Sequence, residues 1–129
     1  MSGRALVDTN VVIGLFAGDP AVIEKIQTQS AVFLCVPVIG ELSCGAQASA
    51  RVENNLARLD EFARSLVVLP CDSETAEAYA TVKFGLRKKG RPIPENDVWI
   101  ASIAQQHRLT LLTRDAHFRQ IENLKMELV

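Results

Sequence analysis

Short apolar runs of strand length alternate with segments of helical period along the whole chain, and that alternation leaves few folds open. The runs are Ala5-Leu6-Val7, Ala31 to Val36, Val67-Val68-Leu69 and Leu109 to Leu112, with a last short edge strand around Lys125 to Leu128. Between them apolar residues recur three and four apart, as on one face of a helix. Connections that contain a whole helix join parallel strands, not hairpins. Ala31 to Val36 is continuously apolar, as a strand covered on both faces should be. The expectation is an α/β fold, one parallel sheet of five strands with helices on both faces. The 129 residues suggest a single domain, 1–129.

Local signals place the helices. Asn10 to Ala17 forms a short helix stopped by Gly18, and Asp19-Pro20 caps and opens the next, whose apolar face is Val22, Ile23 and Ile26. Pro37 ends the second strand, and Val38 to Ala48 is helical with Glu41 in its first turn. Cys44, Gly45 and Ala48 follow Glu41 at helical spacing and are small, so a neighbouring backbone can approach it. Ala50 to Leu66 is amphipathic through Val52, Leu56, Leu59 and Phe62. Asp72 and Ser73 cap a helix with a buried stripe of Ala76, Tyr79, Val82 and Leu86, ending in Arg87-Lys88-Lys89-Gly90-Arg91. Pro94 opens a helix that runs to about Gln106. The segments Asp19 to Ser30 and Ala50 to Leu66 hold more large apolar residues than a thin layer need bury, which makes them candidates for an exposed self-association face, with ordinary core packing as the other reading.

Composition narrows the function classes. Fourteen basic and fifteen acidic residues leave a net charge of −1, so nucleic-acid binding would need its positive charge concentrated locally. The start MSGRALVDTN lacks the apolar core of a signal peptide, and Ala31 to Ile39 is too short to span a bilayer. A soluble cytoplasmic protein with no membrane partner is expected. Cys35, Cys44 and Cys71 match no metal or redox pattern and read as reduced core thiols. His107 and His117 lack ligand spacing, which argues against a zinc enzyme.

Four acids stand out by position. Asp8 follows the first strand, Glu41 begins the helix after the second, and Asp115 follows a late strand. All three belong at the carboxyl edge of a parallel sheet, where α/β proteins keep their chemistry. Asp97 has Ile100, Ala101 and Ala104 at helical spacing and so continues a core-facing stripe, a costly place for a charge unless it is paired or binds a metal. Taken singly, Asp8 and Asp115 are also turn or cap residues, and Glu41 suits a helix N-terminus. Together the four carboxylates repel one another and call for a cation, and all-oxygen ligands select Mg²⁺ or Mn²⁺ over zinc. Asn10 and Thr113 flank the same edge as hydrogen-bonding supports, with an N-cap as the other reading of Asn10. The basic run Arg87, Lys88, Lys89 and Arg91 is either a helix terminus or a contact to a phosphate backbone, and the two are compatible.

Four segments carry a family resemblance: LVDTN at 6–10, PVIGEL at 37–42, GRPIPENDVWIASIA at 90–104 and LLTRDAHF at 111–118. In this order and spacing they resemble the motifs of PIN-domain ribonucleases, and most closely the VapC-type toxins of type II toxin–antitoxin pairs. The resemblance implies a five-stranded parallel sheet of order 3-2-1-4-5. It implies Mg²⁺- or Mn²⁺-dependent endonuclease activity on RNA, a homodimer and a cognate antitoxin. It carries the roles of catalytic and metal-binding acids to Asp8, Glu41, Asp97 and Asp115. Ser43-Cys44 departs from the family, where larger or basic residues are common, and this bears on substrate and antitoxin contacts. Two other classes stay open. A phosphatase of the haloacid-dehalogenase type needs a second Asp where Asn10 stands. A PIN-like binding module without catalysis would have no need of the full acidic set.

Overall fold

The computed structural model describes residues 2–129, so the first residue of the expected domain lies outside the described residues. The elements follow in the order β1 (Ser2–Val7), α1 (Thr9–Phe16), α2 (Pro20–Gln27), β2 (Gln29–Cys35), α3 (Val36–Gln47), α4 (Val52–Arg64), β3 (Val67–Leu69), α5 (Ser73–Lys89), α6 (Glu95–Gln106), β4 (Thr110–Thr113), a 3₁₀ turn (Ala116–Gln120) and β5 (Met126–Leu128). The five strands form one sheet in the order β3-β2-β1-β4-β5. Every pairing is parallel, with Leu6 opposite Phe33 on one side and Leu111 on the other. This is the expected topology.

β1 is the central strand. Ala5, Leu6 and Val7 are fully buried, because helices cover both faces and leave no polar side for the strand to alternate toward. The ladder runs one residue past the strand: the Asp8 N–H donates to the Leu112 carbonyl at 3.0 Å. α6 packs through Val98, Ile100, Ala101, Ile103 and Ala104, all fully buried. Truncating either isoleucine to Ala would cost about 2–5 kcal/mol. The stripe Ile100, Ala101 and Ala104 therefore faces the core as its spacing predicts, and it takes Asp97 with it.

Several boundaries and faces differ from expectation. α3 begins at Val36, so Pro37 sits in its first turn and does not end a strand. A proline is tolerated there because the first N–H groups of a helix have no intrahelical partner. Glu41 accordingly lies in the second turn, not the first. Along α5 the buried polar position is Thr75, locked in a reciprocal cap with Asp72, and Ala76 is exposed. The apolar faces of α2 and α4 are turned inward: Val22 and Leu59 are buried, and Ile26 and Phe62 pack against the core. Of the two readings, core packing holds for these four residues, while Ile23 and Leu56 are half-buried. Cys44 and Cys71 are exposed; Cys35 alone is a core thiol, and burial pushes that thiol up to about 12. Among the described residues no helix is long and apolar enough to cross a membrane.

Candidate active site

Asp8 stands where β1 stops and α1 starts. It is the N-cap of α1, its Oδ1 accepting the Thr9 N–H at 2.8 Å, so the local role and the site role coincide in one residue. Its Oδ2 accepts the Thr113 hydroxyl at 2.7 Å across the β1–β4 boundary. Asp8 is only 3% exposed. Burial pushes its carboxyl up from 3.8 to about 6, the two hydrogen bonds hold it back, and the charges of Asp97 and Glu41 raise it further.

Glu41 comes from α3. Its Oε1 accepts the Thr9 hydroxyl at 2.8 Å, which ties the second turn of α3 to the first turn of α1. The exposed, small Cys44 and Gly45 one turn on leave the neighbouring groove open. Asp97 enters from the first turn of α6. Burial raises its carboxyl, contact with His117 opposes that rise, and Glu41 and Asp115 add to it. Oxygens of Asp8, Glu41 and Asp97 lie within 4.8 Å of one another. Three carboxylates from three elements meet at one point.

Asp115 lies at the rim. It occupies the cap position of the 3₁₀ turn, but its side chain makes no cap bond; it contacts His117 Nδ1 at 2.8 Å. His117 Nε2 lies 2.7 Å from Asp97 Oδ2, so the imidazole spans the two acids and joins them in a second group of three. Asp97 is common to both groups. The spacing of His117 in the sequence hid this, because its partners come from α6 and from two residues back.

The flanking residues are also placed. Thr113 holds Asp8 and accepts the Asp115 N–H at 3.1 Å. Asn10 is not a cap: its Oδ1 accepts the Arg114 N–H at 3.1 Å and fixes the loop after β4. The Arg114 guanidinium pairs with Asp19, which it holds below the usual carboxylate range. Arg87, Lys88, Lys89 and Arg91 are exposed at the end of α5, where Gly90 adopts a left-handed φ of 65° and the Arg91 N–H closes onto the Leu86 carbonyl. Lys89 is engaged with the Gln120 carbonyl and Glu122. Thr9, which the sequence reading gave no role, and His117, which it set aside for lacking ligand spacing, both contact the candidate acids. Thr9 sits between two candidate residues in LVDTN; for His117 the signal available was the close pair Asp115-Ala116-His117.

The donor set is hard, anionic and convergent, which suits a hard divalent cation with oxygen ligands. Asp8 and Asp97, raised by burial, are the carboxylates whose charge most needs such a counter-ion.

Comparison with known proteins identifies the family of this fold. The PIN domain family matches residues 5–124. The ribonuclease VapC2 of Haemophilus influenzae is 31% identical over 127 residues, covering 96% of each chain. The VapBC complex of Salmonella typhimurium, solved bound to DNA, superposes with a TM-score of 0.88 at 26% identity, covering 99% of this chain and 98% of its counterpart. The VapBC2 complex of Rickettsia felis, bound to a fragment of its promoter, has the same fold, with a TM-score of 0.88 at 24% identity over 98% of both chains. The chain belongs to the PIN-domain family, within its VapC group.

Proposed function

We propose that this protein is a divalent-metal-dependent endoribonuclease, cytoplasmic, and the toxin of a toxin–antitoxin pair. The observation that carries this reading is the convergence of Asp8, Glu41 and Asp97 at the carboxyl edge of the sheet, with Asp115 as the fourth acid at the rim. Neither alternative class gains a specific observation. The position a phosphatase would fill with a second Asp is Asn10, and it is spent on the Arg114 backbone.

Asp8, Glu41 and Asp97 would hold the cation. Bound Mg²⁺ or Mn²⁺ would polarise a phosphodiester oxygen and make a bound water more acidic than bulk water. The chain's own residues do the positioning. Thr9 fixes two acids at once, donating its N–H to Asp8 and its hydroxyl to Glu41. Thr113 holds the second oxygen of Asp8, so the carboxylate cannot rotate away from the site. Arg87 and Lys88 at the end of α5, and Arg91 on the connector that leads to Asp97, are exposed positive charges. They suit the phosphate backbone of RNA, for which a net charge of −1 gives no overall attraction. Lys89 contributes less, being tied to Gln120 and Glu122.

A groove of roughly 310 Å³ opens beside Glu41, lined by Thr9, Ile13, Phe16, Leu42 and Arg58 among others. Ile13 is 56% exposed there. An antitoxin segment laid in this groove would cover apolar surface and block the acids together. Self-association as a homodimer is part of the same reading, carried by the likeness to VapC proteins and not by α2 or α4. The deciding experiment incubates the purified chain, free of any partner, with total RNA, with and without Mg²⁺ or Mn²⁺. Metal-dependent cleavage that Asp8→Asn abolishes supports the reading; equal cleavage by parent and variant rejects it.

A further inference from the structure

We propose that His117 is itself a ligand of the cation, presenting Nε2 to the ion that Asp97 holds, with Asp115 as the carboxylate that orients the imidazole. The inference rests on the metal-dependent reading of the acidic edge and adds a nitrogen donor to it.

The geometry is that of an imidazole held between two acids. Nδ1 lies 2.8 Å from Asp115 Oδ1 and Nε2 lies 2.7 Å from Asp97 Oδ2. The ring is also backed by Phe118, at 4.8 Å between centroids, and Phe118 is fully buried and anchors the 3₁₀ turn. A neutral imidazole has one N–H and one lone pair. Protonated at both nitrogens the ring donates to both carboxylates; in the neutral form that can ligate a metal it satisfies one and turns a lone pair on the other. A cation shared between the nitrogen and the second carboxylate removes that conflict. Two neighbouring donors of an octahedral ion, each about 2.1 Å away, sit about 3 Å apart, close to the nitrogen–oxygen spacing here.

Which nitrogen binds follows from burial. Asp97 belongs to the cluster with Asp8 and Glu41 and has a side-chain exposure of 14%; Asp115 is 45% exposed at the rim. The inward contact, through Nε2, is therefore the metal side. The outward contact, Nδ1–H to Asp115, completes the carboxylate–histidine–metal arrangement that metal-bound histidines almost always show. Asp115 then reaches the ion through the ring. A nitrogen donor also shifts the site's preference from Mg²⁺ toward Mn²⁺, since imidazole favours transition metals and Mg²⁺ favours oxygen.

Pulsed electron paramagnetic resonance on the full chain loaded with Mn²⁺ reads a nitrogen bound directly to the ion. The expected result is ¹⁴N modulation of the Mn²⁺ echo, converted to the ¹⁵N pattern when histidine is ¹⁵N-labelled. The other histidine, His107, caps the far end of α6, so the label reports His117. In His117→Ala the modulation should vanish while Mn²⁺ still binds, about tenfold or more weakly by calorimetry, with a smaller change for Mg²⁺. Mn²⁺ bound without nitrogen modulation, or modulation that survives His117→Ala, overturns the ligand role and leaves the carboxylate site standing. Failure of the parent to bind Mn²⁺ at all overturns both. The labelled parent decides the matter even if the variant does not fold.

Discussion

Replacing Asp8 with Asn tests the electrostatics of the site without any substrate. Asp8 is 3% exposed, and burial moves its carboxyl from 3.8 to about 6. Between those values the folded chain keeps a proton that the unfolded chain releases. Stability therefore falls as pH rises from 3.8 to about 6, and the ionised carboxylate stays a liability above that window. A displacement of this size corresponds to about 3 kcal/mol at neutral pH. The amide introduced by Asp8→Asn would remove the charge and keep an acceptor for the Thr9 N–H. It would also place an NH₂ where Oδ2 now accepts the Thr113 hydroxyl, and Thr113 already accepts from Asp115. Turning that hydroxyl costs about 1 kcal/mol. The net expectation in chelator at pH 7 is a variant more stable than the parent by about 2 kcal/mol, or a melting temperature higher by about 5–10 °C. At pH 4 most of the charge contribution is gone, and the advantage should disappear or turn into a small deficit. Urea denaturation of both proteins in chelator at the two pH values measures this. With saturating Mn²⁺ at pH 7 the order should reverse, because a ligand stabilises the state that binds it. Equal stability at pH 7 without metal, or a difference unchanged between pH 4 and pH 7, would refute the argument.

Asp97→Asn should abolish the rise in melting temperature that Mg²⁺ or Mn²⁺ produces in the parent; a rise of unchanged size in the variant rejects Asp97 as a principal ligand. Neutralising Lys88 and Arg91 to Gln should reduce the salt dependence of RNA binding by roughly 0.7 in slope per lost phosphate contact while metal affinity holds; an unchanged slope leaves that segment as a helix terminus only. Gly14→Ala should destabilise the fold by about 1–3 kcal/mol, because the added Cβ would meet a Val22 methyl at 2.9 Å and the Arg114 guanidinium at 3.4 Å. A denaturation midpoint equal to the parent's would show that α1 and α2 can separate without cost.

What the sequence makes legible is the alternation of elements and the charges that violate it. Ala5 to Val7 are apolar on both faces because both faces are covered, so that strand announces itself; in β2 only Leu34 and Cys35 are buried, and Ala31, Val32 and Phe33 are half-buried although the run is continuously apolar. The neighbour order of the strands does not follow from these runs, and only the family resemblance supplied it. Pro37 shows why boundaries are harder. The same residue ends a strand or opens a helix, and the choice depends on whether the chain can turn immediately at Cys35, which is decided by how α3 packs. The faces of α2 and α4 stayed open between two readings for a related reason. Amphipathicity says that one side is apolar, but whether that side meets solvent or the sheet is settled by layers the sequence does not display.

The site divides along the same line. Asp8, Glu41, Asp97 and Asp115 are visible because each is a charge at a strand end or on a core-facing helix, and each sits on a different element. Their meeting is a consequence of strand order. With β1 between β2 and β4, the end of β1 lies beside the ends of both neighbours, so α3, which follows β2, and the loop after β4 emerge on either side of Asp8. Thr9 and His117 had no such signature. Thr9 reaches Glu41 across 32 positions and His117 reaches Asp97 across 20, and neither separation has a period. Motif spacing can therefore reveal acids that a local rule marks as misplaced. It cannot reveal the hydroxyl and the imidazole that link them, because nothing is locally wrong with a threonine in a first helical turn or a histidine in a 3₁₀ turn. Those residues become informative only once the sheet order has put their partners within 3 Å.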